Sequence, residues 1–157
     1  MPHRLRRYSA FYFFYYAGLG AFSPYIGRFV DALGHSGYVL GAMLALWYGT
    51  RIVAPPAWTA LIHRSTRPGM LLVAGCVATM LVFAGFTFTE SALGLCLLML
   101  LFGLTSNPLL PQFEAMTLNA LGERNSEYGR IRVWGSIGFL GVASSYGWLL
   151  DRFGSSS

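Results

Sequence analysis

Residues 91–113 read SALGLCLLMLLFGLTSNPLLPQF without a charge and close on Glu114; past a polar loop that ends at Arg132, residues 133–150 read VWGSIGFLGVASSYGWLL. Each run is near the roughly 20 apolar residues that an α-helix needs to cross hydrocarbon about 30 Å thick. Working outward, uncharged stretches also cover 8–27, 32–50 and 68–89, and the second is extended over 52–62 with only Arg51 between. The chain therefore predicts an all-α integral membrane fold with five transmembrane helices at about 8–30, 37–61, 69–89, 92–116 and 131–150.

Composition agrees. Apolar residues make up 55% of the chain, charged residues only 11%, and the mean hydropathy is +0.52. These values exclude a disordered chain and argue against a soluble domain. The net charge of +5 comes from arginine alone, since lysine is absent. Basic residues gather at alternate span ends: His3, Arg4, Arg6 and Arg7, then His63, Arg64 and Arg67, then Arg124, Arg130 and Arg132. The other loops carry Asp31, His35 and Glu90, with Arg28 as the one contrary charge. That alternation follows the positive-inside rule and predicts a cytoplasmic amino terminus in the cell (inner) membrane. Nucleic acid is not an expected partner; membrane lipid is. Cys76 and Cys96 both fall inside apolar runs and read as small buried thiols, not a disulfide or metal site. The first run is too long and aromatic for a cleaved signal.

Several features point inward. The first span opens with Tyr8, Phe11, Tyr12, Phe13, Phe14, Tyr15 and Tyr16, which cover every face of a helix. They serve as an interfacial belt and packing, or, for inward rings such as Tyr12 and Tyr16, as solute contacts. Pro24 interrupts that span late, and Asn107, Pro108 and Pro111 break the fourth before Glu114; interrupted helices at matching places in a three-helix repeat point to a binding region. Arg51 stands near the middle of the second span, just before Pro55-Pro56. A charge at that depth costs about 2.5–3.5 kcal/mol on insertion scales, so it either finds a partner inside the bundle or snorkels. Gly37 and Gly41, and again Gly135, Gly138 and Gly141, offer small surfaces for close helix approach.

Glu114 and Arg132 lie nine residues either side of position 123. In an antiparallel hairpin such positions sit at similar depth. Their opposite charges would favour ionisation while desolvation raises the carboxylate pKa, a balance that can couple a proton or an anion to conformational change. The alternative is that Arg130 and Arg132 are positive-inside flanks and Glu114 a solvated helix end.

Three stretches resemble the major facilitator superfamily, and most closely its branch with lactose permease and the phenylpropionate and nucleoside proton symporters. They are Ser23-Pro24-Tyr25-Ile26 with Leu33-Gly34, Glu114-Ala115, and Tyr128 through Phe139 (YGRIRVWGSIGF). The resemblance implies a six-helix amino-terminal bundle, of which this chain holds five helices. It also implies proton-coupled symport of a small organic solute (an aromatic acid, sugar or nucleoside) by alternating access. Carried over, Glu114 and Arg132 contact solute, with Arg51, Tyr12 and Tyr16 as further candidates. The cytoplasmic gate loop between the second and third spans keeps Arg64 and Arg67 but has Thr59 and His63 where the family has glycine and aspartate. No cofactor is expected beyond the proton as coupling ion. The carboxyl-terminal half of such a transporter is an expected partner, and the chain reads as a truncated or partial form. A non-transporting multispan subunit or scaffold is the competing reading. An enzyme is disfavoured, since no span carries a nucleophile-base pair, paired aspartates or a His-x-x-x-His pattern.

Overall fold

The computed structural model describes residues 3–153. Its helices are α1 (His3–Phe22), α2 (Ile26–Ala32), α3 (Gly37–His63), α4 (Pro68–Gly85), α5 (Ala92–Ser106), α6 (Leu109–Leu121) and α7 (Tyr128–Phe153). Short 3-10 turns follow α4 (Phe86–Phe88) and α6 (Gly122–Glu127). Four stretches are long and apolar enough to cross a membrane unaided: Gly37–His63, Pro68–Phe88, Ala92–Leu121 and Tyr128–Leu150. Large apolar side chains stand outward on several of them, Ile52, Val53, Val73, Met80, Leu81 and Leu140 among them. In water such a surface would aggregate; in a bilayer it is ordinary, because lipid tails are as apolar as leucine. The chain is an integral membrane protein.

Proline chemistry divides two of the expected spans. The first, 8–30, is shared between α1 and α2 with a turn at 23–25. Pro24 has no N–H to continue the ladder, and the chain recovers through Ser23 N–H to Leu19 O and Tyr25 N–H to Phe22 O. The helix ends at Gly34 with φ +77°, its N–H on Asp31 O and that of His35 on Val30 O. These two bonds form a Schellman motif, which needs a left-handed residue that glycine supplies without strain. The fourth span is divided at Asn107-Pro108 into α5 and α6. In contrast, α3 runs unbroken through Pro55 and Pro56.

The chain forms two compact units, Met1–Arg28 with Thr117–Ser157, and Phe29–Met116. In the first, α1 packs on α7. Tyr12 meets Tyr128, Tyr16 meets Arg132 and Gly135, Gly20 meets Phe139, and Tyr25 donates to Ala143 O at 2.6 Å. The pairings advance together along both helices, so α1 and α7 run parallel. Their backbones touch: a Cβ on Gly20 would lie 2.6 Å from the Phe139 carbonyl oxygen, and one on Gly138 would strike that of Phe13. The expected glycine stripe is thus only partly a seam. Gly135 and Gly138 face α1, whereas nothing lies within 4 Å of a Cβ on Gly141. A three-residue repeat falls short of a 3.6-residue turn, so the stripe rotates off the contact. Gly37 and Gly41 likewise meet nothing within 4 Å.

The second unit packs α3, α4, α5 and α6 up to Met116. Trp47 on α3 tilts against Phe102 on α5, and Thr50 fills the space over Gly103. Met43, Trp47, Ala54, Leu95, Met99 and Leu109 are buried. Gly85 meets Leu98, Gly75 meets Leu109, and Gly69 approaches Met116, so α4 runs antiparallel to α5 and α6.

Candidate functional site

Polar groups within the second unit assemble around the break between α5 and α6. Pro108 cannot donate a helical hydrogen bond, and Asn107, whose own N–H still reaches Gly103 O at 3.1 Å, caps α5. Its side chain turns to α3. Nδ2 donates to Trp47 O at 2.9 Å and to Thr50 Oγ1 at 2.8 Å, and Oδ1 accepts from Arg51 Nε at 3.3 Å. Thr50 in turn donates to Trp47 O at 2.7 Å. Asn107 is buried while Arg51 is exposed, its guanidinium carbon 5.1 Å from the centroids of both the Trp47 and Tyr48 rings. Such cation–π contacts contribute about 0.5–1 kcal/mol at exposed sites and more where water is excluded. Arg51 is therefore a held side chain, not a free snorkelling one. One residue before Asn107, the buried Ser106 hydroxyl has no hydrogen-bond partner among the described residues.

A second polar cluster lies one to two turns further along the same helices. Trp58 Nε1 donates to Gln112 Oε1 at 2.5 Å, and Gln112 Nε2 donates to Pro68 O at 2.7 Å. One buried amide thus joins α3, α6 and the start of α4. Elsewhere, hydroxyls satisfy themselves on the preceding turn, as Thr105 does on Leu101 O at 3.0 Å and Ser145 on Gly141 O at 2.7 Å.

In the first unit the structure brings together two of the expected residues. Arg132 Nη2 lies 3.5 Å from the Tyr16 hydroxyl, and its Nη1 the same distance from that of Tyr128, one turn earlier on α7. Tyr12 is fully buried, edge-on to Tyr128 with ring centroids 6.3 Å apart. Of the rings from Tyr8 to Tyr16 it is the buried one, while Tyr16 is half-buried beside the arginine. Glu114 is half-buried on α6 within the second unit, and Arg132 belongs to the first. The gate-loop residues are exposed: His63 ends α3, Arg64 caps it through its N–H to Leu61 O, and Arg67 precedes Pro68 with its N–H on Ser65 Oγ. The Arg67 guanidinium rests 3.7 Å from Met70 Sδ.

Sequence reasoning named Arg51 and treated Asn107 only as a helix breaker. Gln112, Trp58, Trp47 and Thr50 went unremarked. The available signal was chemical: Asn107 and Gln112 are amides in an otherwise apolar run, and polar side chains at membrane depth usually bond across helices.

A family model described as the MFS_1 like family matches residues 5–157. The chain belongs to that family. Among curated proteins it is 26% identical over 146 residues to the maltose permease of Geobacillus stearothermophilus, covering 92% of this chain and 37% of that protein. It is 28% identical over 150 residues to a protein of Escherichia coli (strain K12) named as a probable 3-phenylpropionic acid transporter, covering 90% and 38%. A third relative, the uncharacterized transporter YwbF of Bacillus subtilis (strain 168), is 29% identical over 142 residues, covering 88% and 35%. The chain thus spans little more than a third of the length of these relatives. Their names point to a membrane transporter and away from an enzyme. No solved structure gives a significant match.

Proposed function

We propose that this chain is the amino-terminal part of a secondary active transporter that carries a small organic solute across the cell (inner) membrane by alternating access, coupled to protons. The family match over residues 5–157 carries the reading, together with relatives named for maltose and for 3-phenylpropionic acid. Solute classes in view are aromatic acids, sugars and nucleosides. The distribution of arginines supports a cytoplasmic amino terminus. A further set of helices outside this chain completes the cavity.

Within this reading Arg132 binds an anionic or hydroxyl group of the solute, Glu114 serves recognition or coupling, and Arg51 and Tyr16 contribute further polar contacts. Tyr12, buried against Tyr128, sets the position of α1 on α7. The supporting geometry is the Tyr16 and Tyr128 hydroxyls on either side of the Arg132 guanidinium, which leave it directed by phenols instead of loose at a helix end. His63, Arg64 and Arg67 form a cytoplasmic loop that opens and closes with transport.

Arg132→Lys in the polypeptide that joins this segment to its downstream reading frame tests the assignment. Lysine keeps the charge but loses the planar fork. The expected result is a fall in solute affinity of about tenfold or more, the loss of one charge-assisted hydrogen bond. Unchanged affinity would reduce Arg132 to a topological flank.

A further inference from the structure

Arg51 sits at mid-length of α3, where a cation needs a counterpart, and its neighbours define what that counterpart is. The Asn107 amide is oriented by its two donated bonds, to Trp47 O and Thr50 Oγ1, so its Oδ1 must face the guanidinium. That oxygen takes the Nε proton, and the Trp47 and Tyr48 rings flank the guanidinium carbon. No hydrogen bond from either Nη group is found among the described residues. The outer edge of the guanidinium thus offers parallel N–H donors whose spacing matches the two oxygens of a carboxylate. Charge limits the ligand further. Arg51 is the one arginine within α3, and α5 and α6 contain none. Within this cluster a single fixed positive charge suits a monoanionic group better than a phosphate. The exposed Tyr48 ring beside it suits an apolar body.

We propose that Arg51, aligned by Asn107 and flanked by Trp47 and Tyr48, binds the carboxylate of the solute and leaves Arg132 to its hydroxyl or other polar groups, so that the solute class is an organic monocarboxylate and not an uncharged sugar or nucleoside. The inference rests on the transporter reading above. Arg51 touches the ligand; Asn107 is a positioning residue that acts through it.

The test uses the polypeptide encoded by this segment with its downstream reading frame, purified in detergent. Binding of 3-phenylpropionate and of its neutral amide, 3-phenylpropanamide, is measured by titration calorimetry. Wild type is expected to bind the acid at least about tenfold more tightly than the amide. Arg51→Lys lowers acid affinity about 10- to 100-fold and leaves the amide unchanged. Asn107→Leu lowers acid affinity about 3- to 10-fold, the value of one neutral hydrogen bond, again without affecting the amide. Equal binding of acid and amide by wild type overturns the proposal. So does an Arg51→Gln protein with a lowered melting temperature and an unchanged acid-to-amide ratio, which would show the guanidinium serving a carboxylate of the protein. Uptake of maltose that is insensitive to Arg51→Lys, with none of 3-phenylpropionate, overturns the carboxylate assignment and leaves the transporter reading standing. Absence of saturable uptake of any solute removes both.

Discussion

At the residue scale, the second unit is organised by two amides, Asn107 and Gln112, each of which joins helices distant in sequence. Hydrogen bonds between membrane helices average about 0.6 kcal/mol and reach about 1.7. Gln112→Leu leaves the Trp58 N–H and the Pro68 carbonyl without this partner. It is therefore expected to destabilise by roughly 1–2 kcal/mol, read as a lower melting temperature in detergent. Arg51 behaves oppositely during insertion. Arg51→Leu should favour insertion of the isolated α3 segment by about 3 kcal/mol, measured by glycosylation mapping of the segment in a host protein. Insertion equal to wild type would mean that Arg51 already escapes the hydrocarbon. The sequence makes Arg51 conspicuous because a charge interrupts an apolar run. It does not make Asn107 its partner, since 56 residues separate them and only the packing of α3 on α5 brings them together.

At the scale of elements, the helices were legible and their interruptions partly so. Apolar runs located α3, α4, α5 and α7, because the length of hydrocarbon to be crossed is fixed. Prolines had less uniform effects. Pro24 and Pro108 end helices, while Pro55 and Pro56 are absorbed inside α3. Nothing local distinguishes the two outcomes; packing around each decides it. The glycines on α7 teach a similar lesson, for spacing alone suggested three seam positions and the structure uses two. Gly138→Ala should therefore cost about 1–3 kcal/mol, since its methyl meets the Phe13 carbonyl on a neighbouring backbone that cannot yield cheaply. Gly141→Ala should be neutral or slightly stabilising, because its methyl meets nothing. Thermal melts of the two variants in one detergent check this; equal losses would mean that the α1–α7 crossing lies elsewhere.

At the scale of the whole molecule, composition establishes a membrane protein and the family match establishes its lineage, while its activity stays a proposal. The tyrosine-flanked Arg132 and the clamped Arg51 are what give that proposal residues to test. Little of the solute could be read from the sequence, because aromatic rings suit sugars, nucleobases and phenyl groups alike. The most direct test of the central claim is uptake into proteoliposomes. They would hold the polypeptide comprising this segment and its downstream reading frame, with a pH gradient imposed and radiolabelled 3-phenylpropionate, maltose or a nucleoside outside. Saturable uptake of one of these solutes is expected, 3-phenylpropionate if Arg51 reads a carboxylate, driven by inward proton flow and abolished when a protonophore collapses the gradient. Uptake of none above that of empty vesicles, with the protein shown to be folded, would contradict it.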